Sequence, residues 1–202
     1  METPAAPDSS YAEALTRFHE LLERAKQSTL REPATMSLAT ADERGRPSVR
    51  AVLLKGMDAR GCVFYTNLES RKAQQLAANP RAALGFFWDP LEEQVLIEGE
   101  VHQVSNAEAD AYWATRDLES QIGAWASLQS RILENRKALE ARIADYNAKF
   151  AGRPVPRPPH WSGFRLAPER IEFWKARPFR LNERTLYQKK PTGQWTSTLL
   201  YP

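Results

Sequence analysis

The chain has 202 residues, 42% hydrophobic and 26% charged, enough for one sizeable domain with its own core. A net charge of +3 is mildly basic, but no dense Lys/Arg run supports nucleic-acid binding, and no apolar run approaches the ~20 residues of a membrane span. The one cysteine, Cys62, excludes an internal disulfide, and METPAAPDSS lacks the basic and apolar regions of a signal peptide, so a cytoplasmic protein is expected.

Residues 1–8 read as a disordered tail. Ser9 or Ser10 caps a helix running to about Gln27, with Tyr11, Leu15, Phe18, Leu21, Leu22 and Ala25 at helical spacing. His19 beside that stripe reads as a boundary residue. ATMSLAT (34–40) alternates with the period of a half-buried strand, ADERGRP turns, and SVRAVLLK returns as the second arm of a hairpin. GMDARG reads as a turn into a third strand, GCVFYTN. A helix over 71–79 follows, then strands in RAALGFFWD and EQVLIEGEVHQVS.

NAEADAYWATR (106–116) reads as a short helix capped by Asn106. In ESQIGAWASLQS, Gly123 argues against one unbroken helix. SRILENRKALEARIADYNAKF reads as a long amphipathic helix with Ile132, Leu139, Ile143, Tyr146 and Phe150 on one side, ending at Gly152. RPVPRPPHW is a stiff connector. SGFRLAP, RIEFWKA and TLYQKK read as three more strands, the last turning at Pro191-Thr192-Gly193 into QWTSTLLYP. Successive strands with short turns and one short helix among them predict a mainly β, α+β fold built on an antiparallel barrel.

The stretch from Arg50 to Lys72 carries the clearest chemistry. Arg71 and Lys72 fall where a strand gives way to a helix, and a helix start offers free N–H groups and a positive dipole end. Arginine adds a bidentate grip and lysine a point charge, so a phosphate-bearing ligand is expected there. No metal-ligand cluster, nucleophile elbow, Walker loop or GxGxxG accompanies it. What remains is a set of cations beside aromatics and amides: Arg50, Lys55, Tyr65, Arg71, Lys72, Gln94, Arg116, Gln129, Trp174, Arg180 and Arg184. Parity poses a problem, because in a regular strand Arg50 and Lys55 face opposite sides. Either the strand is irregular there, or the two address different parts of a site shared across a dimer.

RAVLLK, VFYTNLESRK, EQVLIEGEV, SQIGAWASLQS and RIEFWKARPFRLNER, in this order from about Glu32 to Pro202, together resemble the pyridoxine (pyridoxamine) 5′-phosphate oxidase family. The resemblance implies an FMN-binding split β-barrel over 31–202, preceded by a tail and helix over 1–30. It implies a homodimer with the flavin between subunits, and oxidation of a phosphorylated pyridine to pyridoxal 5′-phosphate by hydride transfer from C4′ to flavin N5. Molecular oxygen then reoxidises the flavin and gives hydrogen peroxide. By the same resemblance Arg50, Ala51, Val52, Leu53, Leu54 and Lys55 line the flavin. Tyr65, Thr66, Arg71 and Lys72 hold its phosphate end, Gln94 lies near its ring, and Gln129, Ser130, Trp174 and Arg184 complete the shell. Lys55, Tyr112, Arg116 and Ser120 match the substrate phosphate group, with Arg180, Leu181 and Asn182 over the substrate ring.

The family pattern at that last place is Arg-Leu-His, and here it is Arg180-Leu181-Asn182. Asparagine exchanges hydrogen bonds but carries no proton near neutral pH. A working oxidase with altered rate, pH profile or substrate preference is the reading. Two others stand beside it: a related flavin oxidase of the phenazine-pathway type, and a non-catalytic binder of FMN or pyridoxal phosphate.

Overall fold

Period-two alternation builds most of this molecule. The computed structural model describes residues 9–202, so the tail expected over 1–8 lies outside the described residues. Helix α1 (Ser9–Lys26) leads to β1 (Thr35–Ala41), β2 (Pro47–Leu53), β3 (Gly56–Asp58) and β4 (Gly61–Asn67). Then come α2 (Arg71–Ala78), β5 (Arg81–Trp88), β6 (Glu93–Gln103), α3 (Asn106–Ala114), α4 (Leu118–Ala126) and α5 (Arg136–Phe150). β7 (Trp161–Lys175), β8 (Glu183–Lys189) and β9 (Trp195–Leu200) close the chain.

All strand pairs are antiparallel, in the order β2-β1-β5-β6-β7-β4-β3 with β8 and β9 continuing from β7. β7 organises the sheet. One of its edges runs along β6, while the other is divided between β4 over its first half and β8 over its second. The chain passes from β2 into β3 within two residues, so the two ends of that strand order are joined and the sheet curls on itself.

Inward positions of the strands, among them Met36, Leu38, Leu84, Phe86, Val95, Ile97, Leu166 and Ile171, are fully buried in the main core. Helix α1 belongs to that core. Phe18 meets Phe86 edge-on at 5.1 Å between ring centroids, and Arg24 pairs with the buried carboxylate of Glu93 at 3.2 Å. A second cluster of Trp113, Ile122, Phe150, Val155 and Trp161 anchors α3, α4 and α5 outside the curl. No helix among the described residues is long and apolar enough to cross a membrane, and among them no group of His, Cys, Asp or Glu is placed to hold a metal ion.

The structure departs from the expected elements at five places. Ser105, not Asn106, caps α3, its hydroxyl accepting from Glu108 N–H at 3.1 Å. SGFRLAP and RIEFWKA form one strand, because a register shift at Glu98/Gly99 accommodates Pro168, which has no N–H to give the ladder. Gly99 is required there: a Cβ would lie 1.9 Å from the Ala167 carbonyl oxygen. Helix α5 starts at Arg136, not 130, because the Asn135 side chain caps it by accepting from Ala138 N–H at 3.0 Å; Ile132 is left outside and fully exposed. The break expected at Gly123 falls earlier: α3 stops at Ala114, and Asp117 caps α4, which runs through the glycine. The GMDARG turn contains the short strand β3.

Candidate active site

A cavity of about 510 Å³ opens between the free edge of β2, the end of β4, the start of α2 and helices α3 and α4. It gathers twelve of the residues singled out from sequence. Arg50, Ala51, Val52, Leu53 and Lys55 come from β2 and the residues after it, Tyr65 and Thr66 from β4, Lys72 from α2, Tyr112, Arg116 and Ser120 from the α3–α4 region, and Gln129 from the loop before α5. Asn67, Gly123, Ala124, Ser127 and Trp161 also line it and were not anticipated. Asn67 left a signal, since an Asn ending a strand often caps the next turn; its Oδ1 accepts from Glu69 N–H at 2.7 Å.

The parity problem resolves at a strand end. β2 stops at Leu53; Leu54 N–H then donates to Ala34 O at 2.9 Å and Lys55 N–H to Val63 O at 2.8 Å, so the alternation does not continue to Lys55. Arg50 and Lys55 both face the one cavity, while the Leu54 side chain turns into the core. β2 is an edge strand, and neighbours of both parities border the cavity along its open edge.

The cations stand without counter-ions. Lys72 Nζ donates to three neutral oxygens, Gln129 Oε1 at 2.9 Å, Thr66 Oγ1 at 3.0 Å and Ser70 Oγ at 3.3 Å. Arg50 donates to Thr40 Oγ1 at 2.6 Å, Leu38 O at 3.1 Å and Gln75 Oε1 at 3.2 Å. Burial, together with the Arg50 charge, pulls the Lys72 ammonium down to about 8. Burial and the Arg71 charge lower Arg50 as well. Among the described residues none of Arg50, Lys55, Arg71, Lys72 and Arg116 forms an ion pair, whereas Arg157, Arg165, Arg170, Arg177 and Arg184 each hold a carboxylate.

On the opposite wall three rings lie nearly parallel. Tyr65 is 4.0 Å from Tyr112 and 5.2 Å from Trp161 between centroids, and the Arg116 guanidinium carbon lies 5.0 Å from the Trp161 ring centre. The stack depends on Gly163, the register partner of Tyr65, where a Cβ would come within 2.7 Å of the Tyr65 ring. Arg116 gives one N–H to Ser120 O at 3.0 Å, while its buried Nε has no hydrogen-bond partner among the described residues. The loop from 127 to 135 is tied to this site by Thr66–Gln129 at 3.1 Å, Arg71 N–H to Ser130 Oγ at 3.2 Å, and Arg131–Glu69 at 2.6 Å. An anionic ligand suits such a cavity: many of the donors are cationic or hydroxylic, the cations lack partners of opposite charge, and aromatic faces flank them.

The remaining singled-out residues lie elsewhere on the chain. Arg71 and Ser130 do not line this cavity: Arg71 borders a separate hollow with Asp42 and Arg46, and Ser130 another with Leu139 and Arg142. Gln94, Trp174 and Arg184 form a row across β6, β7 and β8, with Arg184 held by the buried carboxylate of Glu172 at 2.8 Å. Arg180, Leu181 and Asn182 occupy the β7–β8 connection.

Residues 22–150 match a family model described as pyridoxamine 5′-phosphate oxidase, and residues 161–202 one described as the pyridoxine 5′-phosphate oxidase C-terminal dimerisation region. The chain is 58% identical over 192 residues to a pyridoxine/pyridoxamine 5′-phosphate oxidase of Alkalilimnicola ehrlichii, covering 94% of this chain and 97% of that one. It is 56% identical over 188 residues to the like-named protein of Myxococcus xanthus, covering 93% and 91%. Among solved structures, PhzG from Burkholderia lata, in complex with tetrahydrophenazine-1-carboxylic acid, superposes with a TM-score of 0.88 at 32% identity over 98% of both chains. An FMN-binding protein of Nostoc punctiforme superposes at 0.75 with 20% identity over 93% of this chain and 96% of that one, a likeness of fold.

Proposed function

The chain belongs to the pyridoxamine 5′-phosphate oxidase family, FMN-dependent oxidoreductases, and on that premise we propose that it oxidises pyridoxamine 5′-phosphate, pyridoxine 5′-phosphate or both to pyridoxal 5′-phosphate, with O2 as electron acceptor. The observation that carries this reading is the convergence of unpaired cations on one cavity. Arg50 and Lys72, with Thr66 and Gln129, form one donor group; Lys55, Arg116, Tyr112 and Ser120 offer another. The first group would hold the FMN phosphate and the second the substrate phosphate. FMN, when bound, supplies the acceptor for a hydride from the substrate's C4′ carbon and passes the electrons to O2, giving hydrogen peroxide, while the oxidised amine is hydrolysed to the aldehyde and ammonia.

The chain's own work is binding and orientation. Arg50 and Lys72 are fixed by neutral oxygens that leave their charge uncompensated, so an incoming phosphate meets donors already in place. Arg116 lies against Trp161 and is tied to the α4 backbone, which sets its fork before a ligand arrives. The Tyr65–Tyr112 stack closes one wall against water. Burial and the nearby Glu108 charge push the Tyr65 phenol up, so it serves as a neutral hydroxyl.

A homodimer completes the reading. The Gln94–Trp174–Arg184 row and Arg180 do not border this chain's cavity, and three of those four residues fall in the segment matched by the dimerisation model. In the dimer they would face the cavity of the partner subunit. A second reading, a phenazine-type oxidase, is favoured by the likeness to PhzG and by Asn182 in place of histidine. The Lys55, Tyr112, Arg116 and Ser120 group favours a phosphorylated substrate. Anaerobic pyridoxamine 5′-phosphate should bleach the flavin absorbance of the purified protein and give about one aldehyde per flavin, and readmitted air should restore the flavin and give peroxide in the same amount. A yellow protein bleached only by a reduced phenazine carboxylate supports the second reading; one bleached by neither is a binder.

A further inference from the structure

The connection between β7 and β8 holds a conformation that the cavity does not explain. Phe179 and Arg180 are consecutive non-glycine residues with left-handed φ of 59° and 63°. L-residues seldom adopt this backbone in succession, and it persists only where surrounding contacts hold it. Those contacts are visible. Asn182 Oδ1 accepts from the Arg177 N–H at 3.1 Å, closing the base of the turn. The Arg177 guanidinium forks onto Glu183 at 2.8 and 2.9 Å, and Leu181 N–H donates to Pro178 O at 3.2 Å. Phe179, Arg180 and Leu181 are exposed at the tip, whereas Asn182 is half-buried beneath them.

We propose that Asn182 is a positioning residue: its side-chain oxygen clasps the Arg177 amide, holds residues 177–182 in the left-handed turn, and so fixes where Arg180 presents its guanidinium to the substrate. The part played by Arg180 rests on the function proposed above; the clasp itself does not. A carboxamide oxygen accepts this hydrogen bond at any working pH. A histidine here accepts it only while one ring nitrogen is unprotonated. Asparagine therefore makes the turn independent of pH across the range in which an imidazole would titrate.

The test has two readouts on the FMN-loaded protein. The first is hydrogen exchange of the Arg177 amide without substrate, which reads the clasped N–H itself. The second is KM against kcat for pyridoxamine 5′-phosphate. Asn182→Ala is expected to speed that exchange about tenfold or more and to raise KM about tenfold, with kcat within about twofold. Asn182→Asp, which keeps an acceptor oxygen, should restore both. Asn182→His should match the native protein at pH 8 and lose the clasp below about pH 6.5. Adding Asn182→Ala to Arg180→Ala should raise KM no further than Arg180→Ala alone. Unchanged Arg177 exchange in Asn182→Ala overturns the clasp. Additive KM effects overturn the action through Arg180, since Asn182 would then touch the ligand itself. If Arg180→Ala leaves KM unchanged, the role assigned to Arg180 falls while Arg177 exchange still decides the clasp.

Discussion

Discharging Lys72 should weaken FMN binding, and the pH at which this begins follows from its surroundings. The ammonium is at about 8 in the ligand-free cavity, against 10.5 for an ordinary lysine. A bound phosphate dianion replaces the missing counter-charge and moves it back up, so loading takes up a proton above pH 8 and none at pH 7. With an FMN phosphate that is already dianionic above about pH 7, unscreened linkage between pH 7 and 9.5 amounts to about 1.5 log units, or ~2 kcal/mol. Lys72 is only half-buried, and solvent screening reduces that to ~1 kcal/mol, about a fivefold rise in Kd. Quenching of flavin fluorescence on titrating FMN with ligand-free protein at pH 7, 8, 9 and 9.5 measures it. The same shift acts with opposite sign on the ligand-free protein. Between pH 8 and 10.5 the unfolded chain binds more protons at this site than the folded one, so ligand-free stability gains with rising pH while FMN affinity falls. Lys72→Met should bind FMN more weakly at pH 7 and show neither slope. An affinity level from pH 7 to 9.5, or an equal slope in Lys72→Met, would refute the reasoning.

Arg116→Lys exchanges a preset fork for a flexible point charge; KM for the phosphorylated substrate should rise about tenfold in steady-state assays, with FMN affinity unchanged. Gly163→Ala drives a methyl into the Tyr65 ring and toward Val104, and should lower stability by about 1–3 kcal/mol in urea unfolding, with weaker FMN binding. Phe18→Ala empties a fully buried site against Phe86 and Trp88 and should cost about 3–5 kcal/mol in the same assay, with FMN stoichiometry retained in the folded fraction.

Which parts were legible in sequence follows from the range of the interactions that fix them. β1, β2, β4, β5 and β6 are set by local alternation and turn residues, and they form close to where that alternation places them. β7 does not, because Pro168 breaks a strand pattern locally while a bulge in its neighbour β6 absorbs the break. The 127–135 loop carries a misleading signal, since Ile132 extends the helical spacing of α5 backward past its Asn135 cap. It is held by side chains of β4, α2 and the turn between them, more than fifty residues earlier, and that distant tie is what brings Gln129 to Lys72. Arg50 and Lys72 could be read as anion ligands from type and position. Their meeting with Lys55 required the strand end at Leu53, which no parity rule supplies. The aromatic wall was half-legible: Tyr65 and Tyr112 stood among the candidates, but Trp161 follows a proline-rich connector that gives no hint of its stacking partners.

The uncompensated cations also say what the ligand does for the fold. Elsewhere on this chain buried charge is neutralised within the protein. Glu93, nearly inaccessible, takes both Arg24 and Lys175 at 3.2 Å, and Glu172 is shared by Arg170 at 2.9 Å and Arg184 at 2.8 Å, which hold its carboxyl below the ordinary range. A protein that pairs its charges so thoroughly on β6, β7 and β8 leaves the β2–β4–α2 corner unpaired, where burial and the Arg50 charge lower Lys72, and burial and the Arg71 charge lower Arg50. Repulsion there opposes the ligand-free fold and is relieved when a phosphate enters. FMN should therefore raise the unfolding midpoint with the logarithm of its concentration over Kd, and inorganic phosphate should do so weakly at millimolar levels. Riboflavin, which brings the ring without the charge, should stabilise far less than FMN at equal concentration; equal stabilisation would mean that the ring alone carries the binding and that the cations answer to something else.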